Sequence, residues 1–302
     1  INIQILAMEL RQLRYFLAVS RLGSVTRAAE QCHIAQPAIS VAIRNLEEEL
    51  GVQLFERYHK RISLTPAGTV FLRRGEDILN RVDSAIKEME DFADLRRGVI
   101  RVGITPMLGA VVFPYVLSKF RADHPALELI VVEEGALTIE SLLEQGELDV
   151  ALMFVPETPP ELAVSPILRS EIHVCMSPDN PLSERERIAF PKLKDEPFIL
   201  FKENFLSRRL VLQECARHQM APNIVFSSNQ IATIISLIER GVGIGFLLEH
   251  LAQGKPRIKA LRLARPLYLE AGLVWNKSRY LSQSVQAFID AIRSYPLKGD
   301  MA

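Results

Sequence analysis

The sequence predicts a multidomain chain of α+β and α/β parts: an N-terminal winged helix-turn-helix, one long linker helix, and an α/β region of two lobes. Three observations carry this. Two helix-forming stretches, 24–31 and 36–50, flank a tight break at Cys32-His33-Ile34, which is helix-turn-helix spacing. From Thr65 to about residue 95 a helical pattern runs on, with Gly75 its single interruption beyond the first turn. Beyond Gly98 strands and helices alternate, and strand, helix, glycine and strand recur at an offset of about 95 residues.

The first helix spans 9–22. Leu10, Leu13, Phe16, Leu17 and Val19 form its buried side, and Gly23 ends it. Ser24 caps the second helix, whose small apolar face is Val25, Ala28 and Ala29; Pro37 fits the first turn of the third. In that third helix Ile39, Ile43, Leu46 and Leu50 recur at helical spacing toward a core, and Gly51 stops it. Its other face carries Gln36, Ser40, Val41, Arg44 and Asn45. Short hydrogen-bonding side chains with one Arg are what a major groove accepts. An αα-hairpin in an ordinary helical domain has the same spacing, and spacing alone leaves both readings open. Two short strands, 54–57 and 61–64, follow around Tyr58-His59-Lys60 as a wing. There Arg57, Lys60 and Arg61 sit within reach of phosphate or a minor groove, while His59 reads as a solvated loop residue. Formal charge over the whole chain is zero, but residues 9–74 hold ten Lys/Arg against six Asp/Glu, a local balance of plus four. Phosphate binding needs local charge of this kind.

Six segments, in order, resemble one family. They are Met8-Glu9-Leu10-Arg11-Gln12-Leu13-Arg14-Tyr15-Phe16, Ser24-Val25-Thr26-Arg27-Ala28-Ala29, Gln36-Pro37-Ala38-Ile39-Ser40, Leu46-Glu47-Glu48-Glu49-Leu50-Gly51, Leu54-Phe55-Glu56-Arg57 and Leu64-Thr65-Pro66-Ala67-Gly68. Together they resemble the winged helix-turn-helix of LysR-type transcriptional regulators across about residues 8–68. Two positions depart: Ala35 stands where the family often has Ser, and Val41 where it often has Arg or Gln. Both lie where DNA is read, so they bear on base preference. The resemblance implies double-stranded DNA as partner. Gln36, Pro37, Ser40 and Arg44 are expected at base edges, Ser24, Arg27 and Val41 beside them, and Arg57, Lys60 and Arg61 on the backbone.

Thr65 caps the long helix and Pro66 takes its first position. Roughly 30 residues at 1.5 Å each give roughly 45 Å. Ile78, Val82, Ala85, Met89 and Phe92 alternate three and four apart, a coiled-coil seam, with Leu79, Ile86 and Ala93 as a second stripe. Packing on its own domain is the plain alternative. The resemblance implies pairing with another subunit, and a homotetramer built as a dimer of dimers. The remaining pattern is strand 99–104, helix 108–124, strand 127–133, helix 138–145 and strand 150–154, an arrangement that argues for a parallel sheet with helices on its faces. The repeat pairs Ile130-Val131-Val132, a helix ending at Gly146, and Val150-Ala151-Leu152 with Ile224-Val225-Phe226, a helix ending at Gly241, and Ile244-Gly245-Phe246. Strand 269–275 and helix 281–294 would return to the first lobe. This layout is similar to the periplasmic-binding-protein fold that the family uses. The division is then a winged helix-turn-helix at 8–65, a linker and dimerisation helix at 66–97, and an effector domain at 98–302. Its lobe I covers about 98–167 and 266–302, and lobe II about 168–265.

Ligands of such folds lie between the lobes, at strand ends and helix starts. Thr105, Pro106 and Met107 occupy one such place; Ser228 and Asn229, after Ser227, occupy its counterpart and serve equally well as plain caps. Phe201 and Phe205 can cover an apolar ligand, and Lys202 can pair with a carboxylate. The expected effector is a small anionic metabolite, whose binding closes the lobes and changes the DNA bend.

A length of 302 residues suggests two domains or slightly more. No nucleophile elbow, phosphate loop or metal-spaced His/Cys/Asp cluster occurs, so neither an enzyme nor a metal or cofactor site is expected. Gly241-Val242-Gly243-Ile244-Gly245 opens a strand, which is the wrong context for a dinucleotide loop; tight packing at a lobe edge accounts for it. No apolar run approaches the roughly 20 residues of a membrane span, and no signal peptide precedes Met8. Cys32, Cys175 and Cys215 are too few and scattered for a disulfide framework or a zinc site. A reducing cytoplasm is the expectation. Some family members sense oxidants through paired cysteines; buried free thiols are the default here. Residues 1–7 receive no function. The rival reading is a solute-binding protein whose N-terminal part merely dimerises.

Overall fold

Glu9 opens the chain's first helix with a capping box: its side chain takes an N-terminal amide while its own N–H donates to Gln12 Oε1 at 2.8 Å. Helix α1 is Leu10–Leu22, α2 Val25–Gln31 and α3 Gln36–Leu50. The break before α3 turns on His33, which holds a left-handed φ of 54°. Strands β1 (Phe55–Tyr58) and β2 (Arg61–Leu64) pair antiparallel, Phe55 opposite Leu64 and Tyr58 opposite Arg61. Helix α4 is Pro66–Phe92. The structure, a computed structural model, describes residues 8–58, 61–92, 98–155 and 159–294. Of Arg57, Tyr58, Arg61, Glu90 and Phe92 it describes the backbone path. Residues 1–7, the wing tip His59-Lys60 and the predicted helix end at 93–97 lie outside the described residues.

The chain divides into two compact units, one running to Met89 with Ser278–Tyr280, the other Glu90–Lys277 with Leu281 onward. The first unit has two apolar cores. Val19, Ala28, Ala29, Ile39 and Ile43 join the three small helices. Phe16, Leu17, Leu46 and Leu54 join them to the wing and to α4, with the Phe16 ring 5.2 Å from Phe55 and 5.0 Å from Phe71. Gly75 is where α1 lies against α4: a Cβ there would stand 2.7 Å from Leu13 Cδ1. The glycine thus marks a close helix contact. The first half of α4 packs on its own unit through Phe71, Leu72 and Leu79. Its later apolar residues are uncovered, Ile86 at 50% and Met89 at 58% exposure.

The second unit is built on β3 (Val99–Ile104), α5 (Pro106–Val111), α6 (Phe113–Asp123), β4 (Glu128–Glu133), α7 (Ala136–Gln145), β5 (Val150–Phe154) and β6 (Leu162–Met176). It continues through β7 (Arg187–Ile188), β8 (Pro197–Phe201), α8 (Leu206–Arg217), β9 (Asn223–Ser228), α9 (Ile231–Glu239), β10 (Gly245–Leu248), β11 (Lys259–Leu263), β12 (Leu267–Asn276) and α10 (Gln283–Arg293). The helix expected over 108–124 is two helices. Pro114 has no N–H to offer the preceding turn, and the chain re-starts at Phe113. The sheet is mixed. β3 runs parallel to β4 and β5, and β8 to β9, as the alternation predicts. β12 is antiparallel to β5 and β6, and β6 to β10 and β11. The reason is connectivity. β6 and β12 are long strands that cross from one lobe to the other, and each crossing reverses direction. The sheet order is β4-β3-β5-β12-β6-β11-β7, with β10 on β6. The repeat is visible in geometry: α7 and α9 each end at a left-handed glycine, Gly146 at φ 75° and Gly241 at φ 70°.

Candidate nucleic-acid interface and interlobe cavity

Ile39, Ile43 and Leu46 bury one side of α3, and this fixes which side faces out. Gln36, Pro37, Val41 and Arg44 are exposed, and Ser40 is half-buried. Gln36 Nε2 donates to Ser40 Oγ at 3.0 Å, one turn away. Val41, at 51% exposure, is an apolar side chain presented outward, suited to a thymine methyl. Ala35 occupies the N-cap without a side chain that can cap, but Pro37 lacks an N–H and Ala38 N–H donates to Ala35 C=O at 2.9 Å, so this helix start offers little to a phosphate. Ser24 is spent on its own helix, its side chain accepting Arg27 N–H at 3.3 Å. Arg27 is exposed, and its guanidinium donates to Leu22 C=O at the end of α1. Between α3 and the wing lies a groove of about 590 Å³, lined by Ser40, Arg44, Glu47, Gln53 and Phe55 among others. Arg57 and Arg61 lie on the wing strands, but their side chains, like all of Lys60, are outside the described residues.

In the second unit Thr105, Pro106, Met107, Phe201 and Phe205 converge on one cavity, with Ala136, Phe154, Leu206 and Ser207. Its volume is about 10 Å³, room for about one water. The two Phe rings close on each other, stacked at 4.8 Å. Thr105 Oγ1 and Ser207 Oγ are buried without a hydrogen-bond partner, in residues only 3% and 4% exposed. Such hydroxyls cost about 1–3 kcal/mol when left unsatisfied. Neither Thr105 nor Phe205, the caps of α5 and α8, makes a side-chain cap. The lobes meet beside this cavity. Asn204 Nδ2 donates to Thr138 Oγ1 at 3.0 Å and Glu134 Oε2 at 3.5 Å, and Asn204 C=O accepts Leu137 N–H at 3.4 Å. The approach is so close that a Cβ on Gly135 would stand 2.5 Å from Asn204 O.

Three expected residues are not brought there. Lys202 is exposed and absent from the lining. Ser228 Oγ accepts Gln230 N–H at 3.0 Å in a local turn before α9, whose N-cap is Gln230, and Asn229 is half-buried beside it. Ser207 was missed, although the strand-end rule that found Met107 reaches it one helix later. Arg208 anchors the strand ends, its Nη1 donating to Phe201 C=O and Ser227 Oγ, each at 2.9 Å.

Two of the three thiols are unreactive by environment: burial pushes Cys175 up to about 12 and Cys215 up to about 11, far from the thiolate that oxidant sensing needs. Among the described residues no group of three His, Cys, Asp or Glu is placed to hold a metal, and no helix is long and apolar enough to cross a membrane.

Comparison with known proteins agrees with this architecture. The family described as "Bacterial regulatory helix-turn-helix protein, lysR family" matches residues 10–69, and "LysR substrate binding domain" matches 93–296. An uncharacterized HTH-type transcriptional regulator of Bacillus subtilis, YwbI, is 31% identical over 95% of this chain and 97% of its own. A cysteine-to-aspartate variant of full-length OxyR from Pseudomonas aeruginosa superposes with a TM-score of 0.70 at 24% identity, over 96% of both chains. Full-length CbnR complexed with its target DNA gives 0.59 at 20% identity, over 95% of this chain and 99% of that one.

Proposed function

The chain belongs to the LysR family of transcriptional regulators, and from that premise we propose how its own residues read DNA and sense a metabolite. The observation that carries the DNA reading is the outward face of α3: Gln36, Val41 and Arg44 are exposed while Ile39, Ile43 and Leu46 lock the opposite side. Gln36, Pro37, Ser40 and Arg44 meet base edges and their surroundings in a major groove, with Ser24, Arg27 and Val41 beside them. Arg57, Lys60 and Arg61 hold phosphates from the wing. Domain 8–65 carries this work, 66–97 pairs two subunits, and 98–302 takes the effector, two dimers forming a tetramer in the cytoplasm.

The effector is a small anion held between the lobes. Supporting this are the uncapped start of α8 and the two unsatisfied hydroxyls, Thr105 Oγ1 and Ser207 Oγ, that line the same cavity. Helix-start amides and hydroxyls together suit a carboxylate without a cation. The lobes part at Asn204 to admit it and close again around it. The effector acts by favouring one quaternary state over another, and the DNA bend follows. The test is a footprint on the DNA upstream of the chain's own gene and its neighbour, with a salt series and a panel of small carboxylates. A protected, roughly palindromic site with a steep salt slope, altered by one carboxylate, is the expected result. Absence of specific protection at low salt would transfer the function to solute binding.

A further inference from the structure

Leu54, the last residue before the wing, has its peptide groups tied on both sides. Its N–H donates to Glu47 Oε1 at 2.7 Å, and the same oxygen accepts Phe55 N–H at 3.1 Å. Its C=O accepts the Thr65 N–H at 3.0 Å, and the Thr65 hydroxyl donates to Gln53 C=O at 2.8 Å with Leu54 C=O a longer second acceptor at 3.3 Å. That hydroxyl oxygen accepts Gly68 N–H at 2.9 Å, and a Cβ on Gly68 would fall 2.0 Å from Leu54 O. One peptide therefore joins the last turns of α3, the first wing strand and the first turn of α4.

Glu47 stands out within this junction. Ser40, Arg44 and Glu47 are spaced four and three apart, so they share one stripe of α3 and line the same groove. A carboxyl on a stripe that approaches phosphates is adverse for binding unless it has another task. Its task here is visible: it accepts the backbone N–H groups of Leu54 and Phe55, where the strand that carries Arg57 begins, bonds stronger than neutral ones. We propose that Glu47 is a positioning residue for DNA recognition, holding the wing to the recognition helix so that both engage one duplex as a rigid pair. It touches no DNA itself. The inference rests on the wing reading above.

The test is a double-mutant cycle on a random-sequence duplex, where phosphate contacts are measured without base readout. Arg61→Ala is expected to weaken binding several-fold with Glu47 in place, and distinctly less in a Glu47→Ala background, where the wing no longer holds its register against α3. Glu47→Gln, whose amide oxygen still accepts both N–H groups, should retain the full Arg61→Ala effect. An undiminished Arg61→Ala effect in folded Glu47→Ala protein overturns the inference while leaving the wing reading intact. No Arg61→Ala effect with Glu47 present overturns both. If Glu47→Ala fails to fold, Glu47→Met, which keeps the stem and loses the acceptor, replaces it in the same cycle with the same outcomes.

Discussion

In the proposed reading Arg44 and the wing cations sit at opposite ends of the energetics of reading DNA. A bidentate Arg on guanine carries about 1–3 kcal/mol of discrimination, whereas a phosphate contact releases counterions from any duplex. Arg44→Ala should therefore compress the ratio of specific to random affinity. Lys60→Ala should lower both affinities together and reduce the salt slope by about 0.9. Titrations of a footprinted site and a scrambled site across salt would separate the two, and equal behaviour of the variants would refute the assignment. The cavity hydroxyls allow an opposite kind of prediction. Thr105 Oγ1 and Ser207 Oγ are buried without partners, so the free protein carries their desolvation cost. Thr105→Val and Ser207→Ala should each stabilise the unliganded effector domain by about 1 kcal/mol while weakening carboxylate binding. A fall in melting temperature for both would show that these hydroxyls already have partners in solution.

Strands and loops set what can move. Asn204 fastens one lobe to Thr138, Glu134 and Leu137. Asn204→Ala removes the two side-chain bonds, each worth about 1 kcal/mol. The expected result is faster amide exchange at residues 134–138 and faster entry and release of the effector with little change in its affinity, because the closed free and closed bound states lose the same bonds. Unchanged exchange there would mean that the lobes are held elsewhere. Strand β6 carries a pH effect. His173 is 2% exposed and its Nδ1 has no partner. Burial lowers its pKa below the ordinary 6.5, with Arg262 and His250 adding to this, while Glu249 and Glu171 oppose it. The folded protein then holds fewer protons at this site than the unfolded one. The stability concerned is fully present above the ordinary pKa and is lost as pH falls from about 6.5 toward the folded value. The melting temperature should drop between pH 7.5 and 5.5 by less in His173→Gln than in the unaltered chain; equal drops would discount His173. Legibility in the sequence also divides at this scale. Thr105, Met107 and Phe205 were readable because a strand end followed by a helix start fixes position. Lys202 was not, because a loop has no period to aim its side chain. The mixed sheet was hidden because alternation of strands and helices does not reveal that β6 and β12 are crossing strands.

At the scale of the whole molecule the proposed pairing of subunits rests on the long helix. Its heptad spacing announced an apolar stripe but not its partner, since periodicity is the same for a helix packed on its own domain and for one packed on a second subunit. The structure divides the stripe. Phe71, Leu72 and Leu79 are taken up by the first unit, with α1 close against Gly75. Ile86 and Met89 remain half or more exposed, and burying the half that remains yields about 1 kcal/mol apiece. In a symmetric dimer each chain contributes both residues, so the same substitution counts twice. Ile86→Glu with Met89→Glu should therefore shift the sedimenting species toward monomer at concentrations where the unaltered chain is dimeric. The recognition helix and wing are untouched by this change, so binding to an isolated half-site should persist. Affinity for a full site should fall steeply, since two recognition helices must reach major grooves about 34–36 Å apart. Retention of the dimer in sedimentation, with full-site affinity intact, would place subunit pairing away from the later half of the helix.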